Sequence, residues 1–252
     1  LIKLQIMEKI ISDTRLSYQP LYEQIKRMLV QNLIDAKWKA GELIPSEQDL
    51  AANFKVSQGS VRKAIDVLVQ ENILIRRQGK GTYVATHAQE GAKLRFLRLT
   101  GEDGKKAIPQ NKLVSCQRTR APAAVARQLD LKTGASVIEV KRLLMFNGTP
   151  LIYDLLMVPA KDFQGLSAKQ IEEHKGSMYS MYEQVFGIRM VRAAEEIKAV
   201  GASEEAAQLL GLAPQTPLLQ IERTSYTYGD KPLEWRLGLC LTDSYHYRNE
   251  LE

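Results

Sequence analysis

Cysteine is nearly absent from this chain: Cys116 and Cys240 are the two in 252 residues, and they stand far apart. Such a pair supports neither a disulfide scaffold nor a thiolate zinc site, and it fits a reducing compartment. Histidine is almost as scarce. His87, His174 and His246 lie at no metal-ligand spacing from one another, so no metal is expected. No apolar run approaches the roughly 18 residues of a membrane span. The opening stretch "LIKLQIMEKI" is too short and too charged for a secretory leader. These absences predict a soluble cytoplasmic protein with no membrane partner. Phosphate-binding glycine loops and nucleophile–base motifs are also lacking, so neither a cofactor nor catalysis is expected.

What is present is ordinary globular material, with 44% hydrophobic and 25% charged residues, enough for one large or two modest domains. The net charge of +6 is small, but its distribution is uneven. Between Lys55 and Gly81 six basic residues face only Asp66 and Glu71. A concentrated positive segment implies an anionic partner more strongly than the global excess does.

That segment closes a series of three short helices. "PLYEQIKRMLVQNLIDAKW" repeats Leu21, Ile25, Leu29, Leu33 and Ile34 at helical spacing, with Pro20 in the first turn. "SEQDLAANF" follows, with Ser46 as N-cap and Leu50 and Phe54 on one face. After the brief "KV" connection, "VSQGSVRKAIDVLVQEN" starts from Ser57 as cap and carries Val61, Ile65, Leu68 and Val69 as an apolar stripe. These dimensions predict a helix-turn-helix whose last helix presents a polar first turn of Gln58, Gly59, Ser60, Arg62 and Lys63. Gln58 suits adenine and Arg62 guanine, although any amphipathic helix has a polar face. Then "ILIRR", "QGKG" and "TYVAT" read as a hairpin with a cationic, glycine-bearing tip, narrow enough for a minor groove.

The run Leu21 to Val84, with "LYEQI", "PSEQDLA", "VSQGSVRKA" and "RRQGKGTYV" in that order and spacing, closely resembles the winged helix-turn-helix of the GntR family of bacterial transcription regulators. Carried over to matching positions, the resemblance implies operator contacts from Ser46, Gln48, Gln58, Ser60, Arg62, Gln78, Gly79 and Lys80. Many members have arginine where this chain has Gln58. A shift from guanine toward adenine at that operator position is the expectation.

The second half carries an approximate repeat. "LDLKTGASVIEVKR" at 129 to 142 aligns with "LGLAPQTPLLQIER" at 210 to 223, and after a one-residue slip "PLIYD" aligns with "PLEWR". Each copy reads as a short helix, a strand, a turn and a returning strand, which predicts an antiparallel sheet with pseudo-twofold symmetry in an α+β domain. "SMYSMYEQVFG" between the copies reads as a helix. This half resembles the UTRA effector-binding domain of the HutC branch of the same family, whose fold is similar to chorismate lyase. The resemblance implies a pocket built from Arg142, Asp154, Ser177, Tyr179 and Glu234, with an anion favoured by Arg142 and by the helix start at Ser177. Sugar-phosphate-binding relatives have a second arginine where this chain has Leu144, and an aromatic near Cys240. Arg236, beside Trp235, is the candidate replacement charge. Alternatives stay open at this point: Arg142 and Arg223 occupy equivalent repeat positions and also suit sheet-stabilising ion pairs, while Tyr179 suits a core as well as a ligand.

The expected organisation is a winged helix-turn-helix at 18–86, a linker at 87–92 and an effector domain at 93–248, α+β overall. The function it implies is a metabolite-responsive repressor, a homodimer on near-palindromic double-stranded operator DNA, released by a small anionic effector. The alternative is a chorismate-lyase-like enzyme with a vestigial DNA-binding domain.

Overall fold

Ser46 and Ser57 each turn the chain into a helix by accepting a backbone N–H, from Asp49 and Ser60 respectively. In the computed structural model, which describes residues 19–87, 96–102, 104, 109–174 and 177–250, they begin α2 (Glu47–Phe54) and α3 (Gln58–Gln70). Asp49 returns a carboxylate oxygen to the Ser46 N–H, completing a capping box. Lys55, left-handed at φ 55, makes the tight connection between them. Ahead of them lies α1 (Leu21–Ile34), with Pro20 at the residue just before it. Ile25, Leu29 and Leu33 are buried against α3, whereas Leu21 and Ile34 are exposed. Ile34 stands nine residues from Ile25, half a revolution round the helix, and Leu21 is in the first turn. Val61, Ala64, Ile65 and Leu68 supply the stripe of α3.

The hairpin forms as β1 (Leu74–Arg77) and β2 (Gly81–Val84). Its strands pair from Leu74 opposite Val84 to Arg77 opposite Gly81, so Gln78, Gly79 and Lys80 are the tip. Gly79 and Gly81 take φ of 69° and 99°, backbone that side chains disfavour. At Gly81 a Cβ would also come within 2.7 Å of Leu43 Cδ1. The segment from Gly41 to Ile44 hydrogen-bonds along β2 and holds the hairpin to the helices.

The chain divides after Ala85 into two units. Of the expected linker only His87 is described, and it belongs to the second unit: its buried ring donates from Nε2 to the Met190 carbonyl at 2.8 Å. Glu183 accepts from the Thr86 hydroxyl and the His87 N–H.

The second unit is built on a six-stranded antiparallel sheet. Its strands are β4 (Gln110–Arg120), β5 (Ser136–Phe146), β6 (Thr149–Pro159), β7 (Arg192–Gly201), β8 (Pro217–Tyr226) and β9 (Pro232–Cys240), in the order β4-β5-β6-β9-β8-β7. That order reads the same outward from the β6·β9 seam, so the sequence repeat is a pseudo-twofold sheet. α4 (Ala123–Gln128) precedes β5 as α7 (Glu204–Leu210) precedes β8. The first copy turns at Asn147 and Gly148, both at positive φ, a two-residue hairpin as "FNGTP" predicts. The second turns more widely, through a 3-10 turn at Tyr228–Asp230. A short sheet of β3 (Leu99–Gly101) and β10 (Tyr245–Tyr247), and the helices α5 (Ala168–Glu173) and α6 (Met178–Phe186), complete the described elements. α6 packs Met178, Met181 and Tyr182 into the main core with Leu156, Val158 and Phe163.

Candidate functional site

In the first unit, every residue expected to meet DNA is exposed except Ser60, which is half-buried. Ser46 and Ser57 cap their helices, and the Ser60 hydroxyl lies 2.9 Å from that of Ser57. Gln78, Gly79 and Lys80 form the open hairpin tip. One residue that sequence reasoning missed organises this surface. Glu47, in the first turn of α2, accepts from Arg62 Nε at 2.9 Å and from Gln58 Nε2 at 3.4 Å, and pairs with Arg76 of β1 at 2.9 Å. Burial raises its pKa, but the Arg62 hydrogen bond and the Arg76 charge outweigh that and hold it below the ordinary value. Glu47 therefore stays ionised and fixes the stems of two α3 side chains and the hairpin base together. Its signal in the sequence is only that it follows the cap Ser46.

In the second unit, sheet register brings distant residues into rows. Arg142 stands opposite Asp154, Asp154 opposite Gly238, and Gly238 opposite Ile221. The neighbouring row runs from Leu156 through Arg236 to Arg223 and Glu195. Of these, Arg142, Asp154, Gly238, Ile221, Arg236 and Arg223 floor a cavity of about 430 Å³, which β4, α5, the start of α6 and the stretch from Phe96 to Leu99 enclose. Of the residues proposed for the effector, Arg142, Asp154, Ser177, Tyr179 and Arg236 line it. Glu234 does not. It is fully buried behind the wall, where its carboxylate accepts from Tyr179 and Tyr182, each at 2.9 Å, and from Arg236 at 3.2 and 3.1 Å.

The charges on the cavity floor are paired. Arg142 donates to Asp154 Oδ2 from Nε at 3.0 Å and from Nη2 at 2.7 Å, and from Nη1 to Asn111 at 2.8 Å. Arg236 reaches the same Asp154 oxygen at 3.5 Å and lies over the Tyr179 ring. Arg223 pairs with Glu195 and donates to the Phe96 carbonyl. Burial pushes the Asp154 carboxyl up, yet Arg142 and Arg236 hold it below the usual range. Burial and the nearby Glu234 raise the pKa values of Tyr179 and Tyr182, so both phenols stay protonated donors. Burial likewise pushes the Cys240 thiol well up, which leaves it an inert part of the wall. Apolar side chains, among them Leu144, Ile152, Ile171, Met178 and Ile221, supply much of the remaining lining, together with Arg98, Gln110, Glu172 and His174.

Ser177 lines the cavity as the N-cap of α6, and its oxygen accepts the Ser180 N–H at 3.1 Å. Asn111 and Glu195 went unnoticed in the sequence. Their roles follow from the pairing of β4 with β5 and of β7 with β8, which no local pattern encodes. Among the described residues, no three His, Cys, Asp or Glu are placed to hold a metal, and no helix is long and apolar enough to cross a membrane.

A family described as bacterial regulatory proteins, gntR family, matches residues 21–84, and the UTRA domain family matches residues 104–246. The chain belongs to the GntR family, in its UTRA-bearing HutC branch. It is similar to the HTH-type transcriptional regulator Rv0792c of Mycobacterium tuberculosis, 31% identical over 221 residues, which cover 85% of this chain and 80% of that protein. It is also similar to the transcriptional repressor NagR of Bacillus subtilis, 28% identical over 238 residues, or 92% of this chain and 96% of that one. A crystal structure of the ligand-binding domain of a GntR-family regulator from Bordetella bronchiseptica matches with a TM-score of 0.61 and 45% identity, over 63% of this chain and 98% of that one. These relatives are regulators of transcription, so the enzyme alternative is set aside, and this GntR protein binds DNA through its first unit and an effector through its second.

Proposed function

We propose that this regulator is a repressor, a dimer on a near-palindromic operator, which leaves DNA when a small anionic effector enters the UTRA cavity. The observation that carries the effector reading is the meeting of Arg142, Arg223 and Arg236 on the floor of a cavity that also has an apolar wall of Leu144, Ile152, Ile171, Met178 and Ile221. Asp154, Glu195 and Glu234 already match those three guanidinium groups, and the two other charged lining residues, Arg98 and Glu172, add no net charge. A monocarboxylate with an apolar body therefore fits better than a phosphate dianion, which would need more positive charge than is spare. The repressor reading draws on NagR, a repressor by name.

On the DNA side, the exposed first turn of α3 would read base edges, with Gln58 and Arg62 as readers. Lys80 and the glycine-bearing tip would enter the minor groove, and Ser46, Gln48 and Ser60 would meet phosphates. Two copies meet successive major-groove faces roughly 34 Å apart, so an effector that favours another spacing lowers operator affinity by linkage. Such a protein works in the cytoplasm, where its operator is.

The test pairs a gel shift on the promoter of the chain's own gene and its neighbour with a thermal-shift screen of carboxylates and sugar phosphates. Binding to at least one promoter, and its loss with a carboxylate that also raises the melting temperature, is the expected outcome. Failure to bind either promoter at low salt counts against the regulator's proposed operator, and a hit that R142A leaves unchanged removes Arg142 from the effector site.

A further inference from the structure

β7 is an edge strand: β8 lies on one side of it, and no described strand pairs along the other. It runs for ten residues without a bulge or a proline, and Ile197 at its middle is 44% exposed. A long edge along which no described strand runs offers a row of backbone donors and acceptors to another strand. The sheet's opposite edge is protected differently. β4 carries Lys112, Arg118 and Arg120 with no acidic residue, and its pairing with β5 shifts between Leu113 and Ser115. A second β4 laid against it would bring positive charge to positive charge across a bent edge.

We infer that β7 is the seam of the dimer, pairing antiparallel with β7 of a second copy in a register centred on Ile197. This rests on the dimer proposed above and names the surface that makes it. In an antiparallel pair, directly opposed residues must both turn their backbone groups toward the partner or both away. A self-pair related by a twofold axis therefore sets one residue opposite itself. Centring on Glu195, Glu196 or Lys198 opposes like charges at the axis. Centring on Ile197 opposes Ile197 to itself, sets each Glu196 against the Lys198 of the other copy, and pairs residues 193 to 201 throughout.

The subunit's own contacts favour that outcome. Within the sheet Glu196 faces Glu222 and Lys198 faces Gln220, and among the described residues neither has an ion-pair partner. The second copy's Lys198 would relieve the like-charge pair that Glu196 makes at home. Pairing would also cover the isoleucine that the subunit leaves open.

Sedimentation equilibrium on the full chain tests the seam by charge exchange. E196K opposes lysine to lysine at two symmetric positions, and K198E opposes glutamate to glutamate. Each is expected to weaken dimerisation about tenfold or more, while E196K/K198E returns it to within about threefold of the parent. Both substituted positions lie on an exposed edge, and unchanged circular dichroism will show that the fold is kept. A dimer as tight in both single variants as in the parent, or a double variant no tighter than the singles, overturns the seam alone. A parent chain that sediments as a monomer, with and without operator DNA, overturns the seam and the dimer together.

Discussion

Arg142 gives two of its donors to one oxygen of Asp154, and both side chains are about 4% exposed. A buried pair is costly to half-remove, because the partner left behind keeps its charge without a counterion. D154N is expected to lower the unfolding free energy of the effector unit by about 3–5 kcal/mol, measured by urea denaturation. The pH dependence has a definite sign. Asp154 is held below its ordinary value in the fold, so the stability it contributes is complete above about pH 4 and is lost as pH falls through the folded value. In D154N that acid limb should flatten. In the DNA unit, Gln58 is expected to prefer adenine: Q58A should lose about 1–3 kcal/mol of discrimination at one operator position and leave the others alone. A base-by-base binding scan in which guanine is required there, with and without Gln58, defeats it. At this scale the sequence was partly legible. Arg142 and Asp154 could be singled out because a family resemblance pointed at them, but Glu47, Asn111 and Glu195 could not, since what matters is whom they face.

Elements were more readable. Ser46, Ser57, Ser167, Ser177 and Ser203 each cap a helix by accepting an N–H three residues on, a rule that needs only local sequence. S57A is expected to cost about 1 kcal/mol in the DNA unit and to weaken operator binding with it, since α3 begins there. The hairpin was equally plain from its glycines. The neighbouring Lys80 is exposed and lies on the tip, so K80A should lower DNA affinity evenly across sequences and reduce the salt slope by about one phosphate. A changed base preference with an unchanged slope would refute that role. The sequence blurred where periodicity has no anchor: Ile34 fell on the far side of α1. Strand order was legible only through the repeat, because two matching halves joined at β6 and β9 leave few ways to close one sheet.

At the scale of the molecule, two units with separate cores should report separately on their ligands. An effector at about one hundred times its Kd is expected to stabilise the UTRA unit by about 2.7 kcal/mol, read in calorimetry as a shift of one transition. Operator DNA should move the other. A single transition displaced equally by both would mean that the units unfold together.

Gly238 sits in the middle of the row that crosses the cavity floor, between Asp154 and Ile221, and has only a hydrogen where its neighbours have side chains. The room for a guest is in part the absence of that one branch. A Cβ there would already stand 3.1 Å from Asp154 Oδ1. Anything larger would be a permanent tenant, so G238L should yield a chain that still grips its promoter but no longer answers the metabolite, a genetic lock made by filling the keyhole from inside.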